Sequence, residues 1–95
     1  MRKYELMYII RPDLDEEQTN AVIEKFSTLI TDNGGEEPSI DKWGKRRLAY
    51  EINDYREGFY VLVNFMGQPS TAQEVDRVMK ISDEILRFMI LSKED

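Results

Sequence analysis

Bulky residues recur at Tyr4, Leu6, Tyr8 and Ile10, while the positions between them mix Glu5 and Arg11 with Met7 and Ile9. This alternation predicts a strand over 4–11 with one buried face and one partly polar face, and Pro12 ends it. The period then lengthens. Val22, Ile23, Phe26, Leu29 and Ile30 fall on one side of a helix. Asp15 suits its N-cap, Gln18 the reciprocal capping-box position, and Glu16 and Glu17 the positive end of the dipole. Asn33-Gly34-Gly35 is a strong C-terminal stop.

A long strand over 36–52 comes next. Leu48, Tyr50 and Ile52 alternate as a buried face would, but the same parity carried backwards reaches Gly44 and Lys42, which do not belong in a core. The first half of this strand is therefore expected to run past the domain body and to bend or bulge at Gly44. Lys45 and Arg47 would point to one side and Arg46 to the other. Residues 53–58 read as a hairpin connection, and the near-continuous apolar run over 59–66 as a central strand. Gly67, Pro69 and Ser70 break the pattern. Ser70 is expected to cap a second helix, with Gln73 as its capping-box partner and Ala72, Val75, Val78 and Met79 on its inner side. A fourth strand covers 85–91, and 92–95 reads as a loose tail of a single domain spanning 1–95.

The element order is β-α-β-β-α-β. Right-handed crossovers place the first and third strands at the centre of a four-stranded antiparallel sheet of order 4-1-3-2, with both helices on one face. This is the α+β, ferredoxin-like split βαβ arrangement.

Composition narrows the chemistry. The chain has 95 residues, 34% of them charged and 41% hydrophobic, which suits one small folded domain. Histidine and cysteine are both absent, which removes imidazole and thiolate catalysis, the Ser-His-Asp arrangement and the usual zinc sites. No apolar run approaches a membrane span, no secretory signal is expected at the polar N-terminus, and a cysteine-free chain fits a reducing cytoplasm.

Charge is unevenly spread. The net charge is −6, yet Lys42, Lys45, Arg46 and Arg47 crowd into one short segment that also holds Trp43. An acidic chain that gathers its cations in one place suits a polyanion such as RNA, and an indole can stack on an unpaired base. Arg2, Lys3 and Arg87 are further candidates for the same surface. The competing reading is that charge on an edge strand blocks pairing with another edge, although one or two cations would suffice and Trp43 guards poorly. The sheet supplies a second surface. If Leu6, Tyr8, Ile10, Val61, Val63, Phe65, Phe88 and Ile90 face the helices, then Met7, Ile9, Tyr60, Leu62, Met66, Met89 and Leu91 face out. That apolar face is a candidate protein interface or base platform, with a contact between two copies as the alternative. The negative net charge favours a basic partner protein.

Two rivals share the topology. An RNA-recognition domain needs two aromatics on the open face of its third strand, but Gly58-Phe59-Tyr60-Val61 offers Val61 for the second and gives Phe59 core parity. An enzyme of the acylphosphatase kind needs a glycine-rich phosphate loop after the first strand, and Arg11-Pro12-Asp13-Leu14 is not one. The pairs Glu16/Glu17, Glu36/Glu37 and Asp83/Glu84 sit where capping and solvation account for them. A small-molecule regulatory module would normally be joined to an effector domain.

Met1-Arg2-Lys3-Tyr4-Glu5, the strand ending Arg11-Pro12, the segment Trp43-Gly44-Lys45-Arg46-Arg47-Leu48-Ala49-Tyr50-Glu51-Ile52, the strand start Gly58-Phe59-Tyr60-Val61 and the terminal Ile85-Leu86-Arg87-Phe88-Met89 together closely resemble the bacterial small-ribosomal-subunit protein six family. The likeness runs from Met1 to about Ser92. It implies a ferredoxin-like fold and a structural, non-catalytic role without a cofactor in the cytoplasmic ribosome. It also implies pairing with small-subunit protein eighteen and binding to the central domain of small-subunit (16S) ribosomal RNA, on the platform. By position, the RNA contacts it implies are Lys45, Arg46 and Arg47, with Arg2, Lys3 and Arg87 behind them.

Overall fold

The computed structural model describes residues 1–93. Six elements form in the expected order: β1 (Arg2–Ile10), α1 (Glu16–Asp32), β2 (Glu36–Ile52), β3 (Tyr55–Gly67), α2 (Pro69–Lys80) and β4 (Ile85–Lys93). The sheet order is β2-β3-β1-β4, and all three strand pairings are antiparallel. Read from the other edge, this is the expected 4-1-3-2.

One face of the sheet carries both helices. Tyr4, Leu6, Tyr8 and Ile10 of β1 join Val61, Val63 and Phe65 of β3 in a core with Val22, Ile23, Phe26 and Ile30 of α1 and Val75 and Met79 of α2. Tyr4, Leu6 and Tyr8 stand opposite Phe65, Val63 and Val61, so these side chains lie on one face and the helices share that side. Tyr8 is fully buried and its hydroxyl has no hydrogen-bond partner among the described residues. Desolvation pushes its pKa up, because a phenolate there would lose its water.

The caps show why the helices start where they do. Asp15 accepts from the Gln18 N–H at 2.7 Å and its own N–H donates to Gln18 Oε1 at 3.1 Å, the reciprocal pair expected from the sequence. The second helix begins earlier than expected, with Gln68 rather than Ser70 at the N-cap and Pro69 at the first helical position. Proline needs no N–H there and its φ is already helical, so it sets the start. Thr71 is buried, accepts from the Gln68 N–H and donates to the Asn33 carbonyl at 2.7 Å, joining the start of α2 to the end of α1.

Three expectations need correcting. The β2–β3 connection is not residues 53–58 but the two-residue turn Asn53-Asp54, both at positive φ (50° and 69°), with Ile52 paired to Tyr55. Asn and Asp tolerate this left-handed conformation, and the mirror-image turn it makes matches strand twist. Ser92 and Lys93, expected in a loose tail, pair with Tyr4 and Lys3 as the end of β4; the rest of 92–95 lies outside the described residues. Finally, the first half of β2 does not run past the sheet. It pairs with β3 from Glu36 to Arg47, with register shifts between Glu36 and Ser39 and between Lys42 and Gly44, and the largest departure lies at the far end, between Arg47 and Ile52.

Candidate RNA-binding rim and open sheet face

The basic segment lies on an edge strand, interrupted by a bulge. Lys42 pairs with Val61 but Gly44 with Tyr60, so two residues of β2 are spent on one of β3, and Gly44 takes φ 83°. A side chain is strained in that conformation, which is why glycine holds the position. The bulge flips the parity of the residues beyond it. Before it, Lys42 stands opposite the core residue Val61, and its ammonium donates to Asn20 Oδ1 on α1 at 3.1 Å. After it, Lys45 and Arg47 stand opposite Phe59 and Glu57, on the helix side, and Arg46 opposite Gly58, on the open side. The clamp-like spread expected from the sequence is therefore present.

On the open side the Arg46 guanidinium carbon lies 5.1 Å from the Trp43 ring centroid, and the indole N–H donates to Asp41 Oδ2 at 3.1 Å. The carboxylate fixes the ring and the ring seats the guanidinium, so a cation and an aromatic face are presented together.

The other candidate cations divide. Arg87 pairs with Ile9, which pairs with Tyr60, which pairs with Gly44, so Arg87 sits in the same row as the bulge. Arg2 and Lys3 do not. They pair with Gly67 and Met66, and Lys3 also with Lys93, at the opposite end of the sheet. Lys3 and Ile9 lie six positions apart on β1, about 20 Å along a strand. The eight candidates thus form a rim of Lys42, Trp43, Lys45, Arg46, Arg47 and Arg87, with Arg2 and Lys3 remote from it.

The open face also differs from its expected membership. Met7, Tyr60, Leu62 and Met66 are half-buried, and Met89 (55% exposed) and Leu91 (49%) stand out at the β4 edge. Ile9 points to this face by parity but is only 7% exposed. The cause is Leu48. The bulge puts Leu48, two residues beyond Arg46, on the open side, where it lies against Gly58 near Ile9, and the register break after Arg47 carries the end of β2 over the sheet toward Arg87. Ile9 is thus withdrawn from the candidate interface, and Leu48 is buried on the open side rather than in the helix-covered core. Tyr50, expected in the core, is exposed for the same reason. A clue lay in the sequence: only glycine at position 58 lets Ile9 approach, since a Cβ there would come within 2.3 Å of Ile9 Cγ2.

Phe59 packs against the helix-covered core. The aromatic pair that an RNA-recognition domain needs on the open face is therefore missing. No group of three or more acidic, histidine or cysteine side chains is placed to hold a metal among the described residues, and no helix among them is long and apolar enough to cross a membrane.

The fold puts the chain in the ferredoxin-like class of α+β proteins, and its rim and bare sheet face are surfaces of a kind that assemblies use. Comparison with known proteins is more specific. The model of the family described as ribosomal protein S6 matches residues 3–92. Small ribosomal subunit protein bS6 of Desulfitobacterium hafniense is 61% identical over the full length of both chains, and that of Moorella thermoacetica is 56% identical over all of this chain and 97% of its own. Among solved structures, 30S ribosomal protein S6 of Thermotoga maritima superposes with a TM-score of 0.92 at 29% identity, covering 97% of this chain and 87% of that one. The chain belongs to the ribosomal protein S6 family and is a structural protein of the small ribosomal subunit.

Proposed function

We propose that the chain binds the central domain of small-subunit ribosomal RNA, on the platform, jointly with small-subunit ribosomal protein eighteen, and that it catalyses nothing in the cytoplasmic ribosome. The observation that carries this is the glycine bulge. It sends Lys45 and Arg47 to one side of an edge strand and Arg46, seated on Trp43, to the other, in a chain of net charge −6. Cations spread about a strand can meet phosphates on both sides of it, whereas edge protection needs no such spread.

Charge arithmetic explains the need for a partner. Each phosphate neutralised contributes a salt slope of about −0.7 on single strands and about −0.9 on duplex. A handful of rim cations, working against the acidic remainder, give weak binding alone. A basic protein on the open face would supply the missing positive charge. Filter binding across a salt series, with and without the partner, tests the reading. Charge reversal at Lys45, Arg46 and Arg47 should lower affinity and flatten the salt slope by roughly 2, with the folded state intact by circular dichroism. An unchanged affinity for that triple variant would remove the rim from the interface. Tight binding by the isolated chain at physiological salt would remove the need for a partner.

A further inference from the structure

The register break in β2 joins residues that no sequence spacing connects. Beyond Leu48 the chain carries Tyr50 to Arg87, on the opposite edge strand. There the guanidinium carbon lies 5.4 Å from the tyrosine ring centroid and a guanidinium N–H donates to the phenol oxygen. Tyr50 gains little burial from this, remaining 59% exposed, so hydrophobic packing does not account for its position. Trp43, 37% exposed, is paired with Arg46 in the same way. The row from Gly44 through Tyr60 and Ile9 to Arg87 crosses all four strands, roughly 14 Å at the usual strand spacing. Two accessible rings, each beside a guanidinium, therefore bracket one end of the open face.

That pairing suits one ligand chemistry. An unpaired base offers a flat π face to a ring while the adjoining phosphate meets the cation. A duplex hides its base faces and could use only the charge.

We propose that Tyr50 is a further RNA contact, and that the Tyr50–Arg87 and Trp43–Arg46 pairs hold unpaired bases, so that the rim selects single-stranded over paired RNA. This rests on the reading that the rim binds RNA, and the test separates the two. The full chain is titrated at low ionic strength with a single-stranded oligouridylate and with a fully paired RNA duplex carrying as many phosphates. Trp43, the sole tryptophan, reports stacking through its own emission. Tyr50→Leu should weaken single-strand binding by about 5- to 150-fold, the loss of one stacked base, and duplex binding hardly at all. Tyr50→Phe should keep most of the affinity, and saturating oligouridylate should quench Trp43. Equal losses on both RNAs, no loss on either, an unquenched Trp43, or no single-strand binding by the unaltered chain would each overturn the proposal. A triple Lys45, Arg46 and Arg47→Ala variant that loses affinity beside an unaffected Tyr50→Leu sinks the base contact alone. A triple variant without effect on either RNA sinks the rim itself.

Discussion

The two faces of this sheet are built from the same strands but by different rules. On the helix side, alternate residues of β1 and β3 meet the stripes of α1 and α2, and burial there is set by periodicity alone. On the open side, burial depends on where β2 loses register. Ile9 and Leu48, both beside Gly58, are buried while Met89 and Leu91, on the same side by parity, stay exposed. A regular face is stabilised by many residues at once, while an irregular one concentrates its consequences in a few contacts around Gly58.

The largest effect should come from the regular face. Phe26 is fully buried and packs at 5.7 Å, centroid to centroid, against Tyr8. Phe26→Ala should cost about 3–5 kcal/mol by denaturant unfolding, whereas Met89→Ala, at an exposed edge position, should stay within about 0.5 kcal/mol. A comparable cost for Met89→Ala would mean that the open face is already packed in the isolated chain, and the contrast between the faces would fail.

A smaller effect should come from the irregular face. A Cβ at position 58 would sit 2.3 Å from Ile9 Cγ2 and 3.4 Å from the Ile10 carbonyl oxygen. Gly58→Ala should therefore destabilise by about 1–3 kcal/mol through overpacking. Ile9→Ala in the same chain removes the colliding methyl, so the double variant should be more stable than the sum of the single losses allows. Strict additivity would show that Ile9 and Gly58 do not meet as described.

This contrast also decides what could be read from the sequence. Both helices, the capping box at Asp15 and Gln18, and the core parity of β1 and β3 arise from patterns confined to one element. The bulge at Gly44 was legible because two implausible core residues, Lys42 and Gly44, shared the parity of Leu48. The departure after Arg47 was not. Leu48, Tyr50 and Ile52 alternate as a paired strand does, and only the tight Asn53-Asp54 turn shows that β3 starts at Tyr55. The strand then carries more residues than its partner can match, and Tyr50 is pushed out. Grouping Arg2 and Lys3 with the rim failed for a related reason: charge can be counted along a chain, but which end of a strand it occupies depends on pairing.

The smallest effect concerns the contact that ties the helix side to the hairpin. Arg11 donates from Nε and Nη2 to the Asp13 carboxylate at 2.7 and 2.9 Å, and the Tyr55 hydroxyl donates to the same group at 3.1 Å. The loop before α1 is thereby fastened to the first residue of β3. The Arg11 hydrogen bond is the main reason the Asp13 pKa falls from 3.8 to about 2, with the Tyr55 hydrogen bond adding to it. A carboxyl whose pKa is depressed by folding adds stability above its unfolded pKa and loses it as the pH falls through the folded one. The contribution should therefore be complete above pH 4 and fade between about pH 4 and pH 2. Because the group is exposed, solvent screens it and the effect should be slight. Asp13→Asn should lower the melting temperature modestly at neutral pH, and its curve should converge on the unaltered protein's toward pH 2. If the gap between the two curves stays constant through that window, the lost stability comes from packing or backbone geometry rather than from the charge on Asp13, and the hairpin is held by its turn and its ladder alone.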